Sequence, residues 1–408
     1  MTASLAPDDY TIAWICALPL EAAAARAMLD KTHTPPRWPT TDPNAYEFGE
    51  LSGHYIVIVH LPDGVYGKVS AAAVVSRMRS TFRRLEFGVM VGIGGGVPEG
   101  KNDIRLGDVV VSKPGPNHNG VIQYDYDKSV HGGKFEQTGI LNRPPQILLR
   151  HMTRFKARQM TGTDDAISKT LEEVVERNLS LKDGFSPPRG HADFLFRSSY
   201  RHVNEEDTCE KCDKEQLVKR PPRDTRAPYI HYGLIASADQ VMKDSELRDR
   251  LAQQHGILCF EMEAAGLMDE LPTLVIRGIC DYCDSHKNKE WQGYAALVAA
   301  SYAKVFLSGI PGSPVISIDT KLREYYDMNN RLRIKRLSGE ILDMAQCYIN
   351  LSIIEYKNKN QDMKLHAKLP SSGFSLFNRL KLAADTPERE ATLPDLFCDR
   401  KLPNGQVI

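Results

Sequence analysis

Apolar residues in this chain fall into short, unbroken blocks separated by alanine-rich stretches, and the rhythm appears twice, before residue 113 and after residue 230. Residues 10–17 (YTIAWICA) are β-rich without a polar break, the pattern of a strand covered on both faces. Pro19 suits the first turn of a following helix, and residues 21–29 are strongly helix-forming. Residues 54–60 predict a second strand, 67–80 a helix with small residues along one side, and 87–93 a third strand running into Gly94-Gly95-Gly96-Val97-Pro98. A fourth, 109–112, follows a turn at Gly107-Asp108. Later come a strand at 231–237, a helix at 245–254, a short strand at 256–260 and a helix opening over 261–266. A buried strand at 273–279 has Asp281 just past its end, and a helix at 294–307 closes the series. Strands alternating with helices argue a parallel or mixed α/β sheet.

Between 113 and about 229 the pattern loosens to one helical piece over 166–178, a Pro187-Pro188-Arg189-Gly190 break and a polar stretch through Pro221-Pro222-Arg223. This reads as an insertion elaborating one domain. Gly309-Ile310-Pro311-Gly312-Ser313-Pro314 has linker composition. The expected organisation is therefore a domain over 1–310 and an extension over 311–408, charged and helical over 319–356 and rich in prolines and turn residues over 371–408.

Composition narrows the class. The 408 residues hold 52 Lys+Arg against 52 Asp+Glu, so no global charge points to nucleic acid or an anionic membrane. Hydrophobic residues at 42% are ordinary for a globular protein, and no apolar run approaches the roughly 20 residues that span a bilayer. No secretory signal is visible over residues 1–9, and eight cysteines in such a length do not suggest a disulfide scaffold, so a reducing cytoplasm is expected.

Three carboxylates stand where strands end. Asp281 follows an apolar strand, and a positioned acid there can protonate a leaving heteroaromatic base; the plain alternative is a turn cap. Asp284 and Ser285 are weaker candidates for the same task. Glu263 follows Glu261-Met262, and a carboxylate there can accept bonds from vicinal ribose hydroxyls while Met262 packs on the sugar; alternatively it is an ordinary first-turn acid. Glu21, early in the first helix, is a natural base for water, with the same plain alternative. Gly92-Ile93-Gly94-Gly95-Gly96 would let backbone approach a ligand; it fits neither the dinucleotide fingerprint nor a Walker loop. Cys209-Glu210-Lys211-Cys212 and Cys280-Asp281-Tyr282-Cys283 are both C-x-x-C pairs, but a metal at the second would immobilise Asp281, so none is expected there and a zinc or redox role for the first pair is the lesser reading.

Together these segments resemble the nucleoside phosphorylase/nucleosidase superfamily, which includes purine and uridine phosphorylases and methylthioadenosine nucleosidase. Ala17-Leu18-Pro19-Leu20-Glu21 resembles its first strand–helix junction, Gly64-Val65-Tyr66-Gly67-Lys68 its G-x-G-K segment, and residues 91–98 its glycine turn. Residues 233–242 are similar to its base-contacting strand and loop, 260–266 to its E-M-E ribose motif, and 277–281 to the segment with the acid. The resemblance implies a three-layer α/β/α sandwich with a helical C-terminal extension, a homo-oligomer, a small-molecule purine partner, and neither metal nor organic cofactor. It implies Asp281 as the acid for N7 and Glu21 as the base for water, with Glu261, Met262, Glu263, Ile93, Gly94, Val241 and Met242 around the substrate.

The family's phosphate-holding arginines are missing, their places taken by Glu21 and Val89-Met90-Val91, which turns the expectation from phosphorolysis to hydrolysis. The long middle segment and Phe-Glu-Met-Glu-Ala-Ala-Gly resemble the effector domain at the N-terminus of fungal NLR-like (STAND) proteins, implying an adenine-bearing substrate such as ATP, with Arg189, Arg197 and Arg201 near its phosphates. Residues 336–339 and 393–397 would belong to a connector of the kind found there. The competing expectations are a phosphorolytic enzyme and a non-catalytic sensing or oligomerisation module.

Overall fold

The computed structural model describes residues 5–312 except 99–101, 126–127, 131–133, 137–138, 163–164, 189–192, 204–208, 210 and 226, together with 333–335 and 341–343. The first strand, β1 (Ile12–Cys16), is buried at every position. Ile12, Trp14 and Cys16 enter one apolar core and Ala13 and Ile15 the other, which is why its sequence shows no alternation. Helix α1 (Pro19–Met28) begins with Pro19 and with Glu21 bonding back to the Leu18 N–H. Strands β2 (Lys31–Thr32), β3 (Tyr46–Leu51) and β4 (His54–His60) follow; β3 and β4 pair as an antiparallel hairpin through Ser52 and Gly53, both at positive φ.

After α2 (Lys68–Thr81) comes β5 (Phe87–Gly96), ten residues long, then β6 (Val109–Ser112) and β7 (Val121–Gln123). The expected insertion carries a small hairpin, β8 (Lys128–Val130) with β9 (Lys134–Glu136), and helices α3 (Gln146–Met160), α4 (Ala166–Arg177) and α5 (Lys182–Phe185). Then follow β10 (Ile230–Ser237), α6 (Ser245–His255), β11 (Ile257–Glu261), α7 (Ala264–Leu267), β12 (Thr273–Asp281) and α8 (Gln292–Ser308). Residues 261–266 were expected to open a helix, but Glu261 is the last residue of a strand and helix begins only at Ala264. The Glu261 carboxylate accepts the Glu263 and Ala264 N–H groups and so shapes that turn.

The main sheet runs β2-β3-β4-β1-β5-β12-β6-β10-β11, with β7 beside β10. It does not stay flat: β11 returns to pair antiparallel with the glycine end of β5, Phe260 opposite Gly95 and Cys259 opposite Gly96. Strands β5, β12, β6, β10 and β11 therefore close a ring. Helices α1, α3, α4 and α8 share one core with one face of the sheet, and α2 and α7 share the other, giving the three layers. The middle segment is more integrated than its composition suggests. Leu148, Met152 and Phe155 of α3 and Ile167 and Val174 of α4 pack into the α8 core, and β7 joins the sheet.

The helical expectation over 319–356 is corrected at six residues, the others of that stretch lying outside the described residues. Residues Arg333–Lys335 (β13) pair antiparallel with Ile341–Asp343 (β14). The Ser338-Gly339 dipeptide in the sequence between them is a hairpin signal rather than a helical one. The rest of the extension, including the connector residues and 371–408, lies outside the described residues. No helix among the described residues is long and apolar enough to cross a membrane.

Candidate active site

The carboxyl ends of β1, β5, β12 and β11 converge on the glycine segment of β5. Strand register sets Arg277 opposite Gly92, Ile279 opposite Gly94 and Asp281 opposite Gly95, while Ser237 of β10 stands opposite Glu261 of β11. Crevices of this kind are where open α/β folds bind ligands.

At the centre is Arg277, 1% exposed, its guanidinium between three carboxylates. Its Nη2 donates to Glu261 and lies 3.3 Å from Glu263 Oε2, and its Nη1 is 3.8 Å from Glu21 Oε1. Burial disfavours the guanidinium charge, but the three acids outweigh it and raise its pKa further. Glu21 reaches the cluster from the first turn of α1. Its Oε2 accepts the Ala17 N–H at 2.7 Å and the Leu18 N–H at 3.0 Å, as a capping acid does. Capping does not explain the bond from the Ile93 N–H across to Oε1 at 2.8 Å. Nor does it explain Gly92, where any Cβ would collide with Glu21 Oε1 and come within 2.5 Å of Arg277 Nη1. The glycine at 92 is the space the carboxylate occupies.

Burial pushes the Glu21 carboxyl up, with Arg277 and the three N–H groups opposing. Glu263 is pushed up to about 8 by burial, against Arg277 and with the neighbouring Glu261 and Glu21 adding to the rise. Its carboxylate also accepts the Gly67 N–H, which brings the 64–68 segment over the cluster. Lys68 is bound there in turn: its N–H donates to Asp239 Oδ1 at 2.9 Å and its ammonium pairs with Asp125, tying the start of α2 to the loop after β10.

Asp281 is 4% exposed. Its Oδ1 accepts the Cys283 N–H at 2.9 Å, the turn cap of the plain reading, and its Oδ2 lies 2.9 Å from the Lys287 ammonium. A Cβ on Gly95 would sit 2.6 Å from Asp281 Oδ1, so a second glycine clears a second acid. Burial alone would depress the Lys287 pKa; Asp281 more than offsets it and the ammonium is held charged.

Of the sequence candidates, Glu21, Glu261, Glu263, Ile93 and Gly94 gather around Arg277 and the glycine segment, and Asp281 stands at its far end beside Gly95. Met262 is half-buried between the two glutamates. Val241 and Met242 divide: Val241 is 50% exposed, whereas Met242 is buried in a core with Phe260 and Ile122. Asp284 and Ser285 point elsewhere, accepting the His286 N–H and the His202 N–H respectively. Arg197 and Arg201 are exposed, and Arg189 lies outside the described residues. Sequence reasoning assigned no role to Arg277, Lys287 or Tyr124. Tyr124 packs edge-on against Phe260 with centroids 5.3 Å apart, and its hydroxyl is 3.4 Å from the Gln240 carbonyl, placing an aromatic ring beside the loop that lacks one of its own.

The sequence pattern described as "Phosphorylase superfamily" matches residues 11–307. A nucleotide-binding leucine-rich repeat (NLR)-like protein of Hyaloscypha variabilis is 45% identical over 307 residues, 74% of this chain and 30% of that protein. The ATP nucleosidase Cap17 of Escherichia coli is 27% identical over 241 residues, 57% of this chain and 38% of the relative. The chain thus spans about a third of the length of these relatives. Among solved structures, the 5'-methylthioadenosine/S-adenosylhomocysteine nucleosidase of Neisseria meningitidis in complex with methylthio-immucillin-A superposes at a TM-score of 0.47 and 19% identity, over 73% of this chain and 99% of that one.

Proposed function

Because the chain belongs to the phosphorylase superfamily, we propose that its crevice hydrolyses the N-glycosidic bond of a purine nucleoside or nucleotide. Glu21 carries the reading. It is a buried carboxylate with a raised pKa, drawn across from α1 to the glycine segment of β5, and it retains lone-pair capacity for a water. Glu263, presented from the turn after β11 beside Met262, accepts the ribose hydroxyls. Glu261 has a 1% exposed side chain with both oxygens engaged, so it holds Arg277 and the turn rather than touching the sugar. Asp281 delivers the proton that makes the purine a neutral leaving group; its pairing with Lys287 positions it as a carboxylate before the substrate arrives, so it takes that proton up from water before passing it to the base. Tyr124 offers its ring to the base beside Val241.

The balance of charge favours water over phosphate. Three carboxylates surround one guanidinium, and the nearby Lys68 and Lys287 are already paired with acids. A phosphate dianion would enter a desolvated site without an uncommitted cation to receive it among the described residues. The relative named an ATP nucleosidase supports an adenine-bearing substrate with ATP among the first to test. Incubating the full chain with adenosine, inosine and ATP, and separating the products by chromatography, should reveal free base from at least one of them. No free base from any purine substrate would return the chain to a sensing or assembly role.

A further inference from the structure

Away from the crevice, the described residues hold one cluster with the chemistry of a metal centre. The ligand atoms of His202, Cys209 and Cys212 all lie within 4.8 Å of one another. Tetrahedral zinc with Zn–S bonds of about 2.3 Å needs its ligands about 3.8 Å apart, a small contraction from this arrangement. Cys209 and Cys212 already share a tight turn, the Cys212 N–H donating to the Cys209 carbonyl at 3.3 Å. A second observation lies beside it, at His286, whose ring is outside that group of three and would have to swing inward to complete it. His286 is 8% exposed and neither ring nitrogen has a hydrogen-bond partner among the described residues, a costly state for a buried imidazole. Its ring stacks 4.1 Å from Phe196 and 5.4 Å from Tyr200, and meets the His202 ring edge-on at 5.3 Å. Asp284 Oδ2 is 3.8 Å from His286 Nδ1, where a modest approach would give the carboxylate that often backs a metal-bound imidazole.

We propose that His202, Cys209, Cys212 and His286 form a structural zinc site joining the middle segment of the chain to the loop after β12. Two thiolates and two imidazoles are a donor set that suits Zn²⁺. The other C-x-x-C pair does not contribute: Cys280 turns its sulfur to the Gly94 carbonyl and to Asp281. The His202 N–H to Ser285 bond, 2.9 Å, already links the two segments, and Cys209 Sγ lies 3.9 Å from the His286 carbonyl. A bound ion would fix His286, and with it the adjoining Lys287 that holds Asp281. The zinc would thus act on the loop's position and take no part in chemistry.

The test is the metal content of the full chain purified from zinc-supplemented cells, with Cys209→Ser, Cys212→Ser and the double variant alongside. One zinc per wild-type chain is expected, with almost none in the double variant. Titrating metal-free wild-type protein with Co²⁺ avoids any folding defect of the variants and should give tetrahedral visible bands and a thiolate-to-cobalt charge-transfer band. Zinc content unchanged in the double variant, or no charge-transfer band in the wild type, overturns the proposal. So does a protein without zinc in which peptide mapping without reductant finds Cys209 disulfide-bonded to Cys212.

Discussion

At the scale of single residues, each acid keeps a structural task as well as its proposed chemical one, so predictions must separate the two. Asp281→Asn preserves the bond from the Cys283 N–H through its amide oxygen but cannot pass a proton to a base. It should retain the wild-type circular dichroism spectrum, melt at a lower temperature because Lys287 loses its partner, and lose about 10²- to 10⁴-fold in the rate of base release. Wild-type turnover in the folded variant would move the acid elsewhere. Glu263 gives a pH signature. Its folded pKa, about 8, exceeds the ordinary 4.5, so between those values the folded state binds more protons than the unfolded one. Its contribution to stability is complete below about 4.5 and is lost as pH rises through about 8. Glu263→Gln removes that dependence, so the melting temperature of the wild type should fall relative to the variant across this range in the absence of substrate. Parallel curves would mean the carboxyl is not held protonated by its burial.

At the scale of elements, the glycine end of β5 has two duties, bending the strand until β11 closes the ring and leaving room for carboxylates. Gly92→Ala should cost about 1–3 kcal/mol through overpacking, because Glu21 and Arg277 are both buried and neither can yield. Activity should fall further than stability, since the displaced group is the proposed base. Gly184→Ala, where a Cβ meets nothing within 4 Å, is the control and should be neutral in thermal melts and turnover. Strands covered on both faces, such as β1, β4, β6 and β12, were legible because an unbroken apolar run is what two cores demand. Strand β3 was overlooked, although Tyr46, Phe48 and Leu51 already mark its buried positions, and so was α3, whose Leu148, Met152 and Phe155 recur at helical spacing in a basic stretch. Pairing of Phe260 with Gly95 could not be read at all, since strands so distant in sequence leave no mark on each other's periodicity. The site divides the same way. Glu21, Glu263 and Asp281 were legible from their places at element ends, whereas Arg277 gains meaning only when three separate segments bring their acids to it.

At the scale of the whole molecule, the decisive property is how the cations around the crevice are committed. A phosphorolytic relative must attract a dianion and hold it beside the anomeric carbon, which calls for guanidinium or ammonium groups free to receive it. In this chain Arg277 answers to Glu21, Glu261 and Glu263, Lys68 to Asp125 and Asp239, and Lys287 to Asp281. Water needs no such attraction; it is abundant and needs only orientation by a carboxylate at the right edge of the sugar. Base release should therefore proceed at the same rate with or without added phosphate, and the sugar product should be free ribose, or its 5-phosphorylated form from a nucleotide, with no ribose 1-phosphate. Glu21→Gln should abolish turnover without creating phosphate dependence, because the amide removes the base but supplies no cation. Chromatography of the base and enzymatic identification of the sugar, in buffers with and without phosphate, decide the matter. A strict phosphate requirement would mean that a cation from the middle segment or from a second copy of the chain completes the site, and the hydrolytic reading would fall.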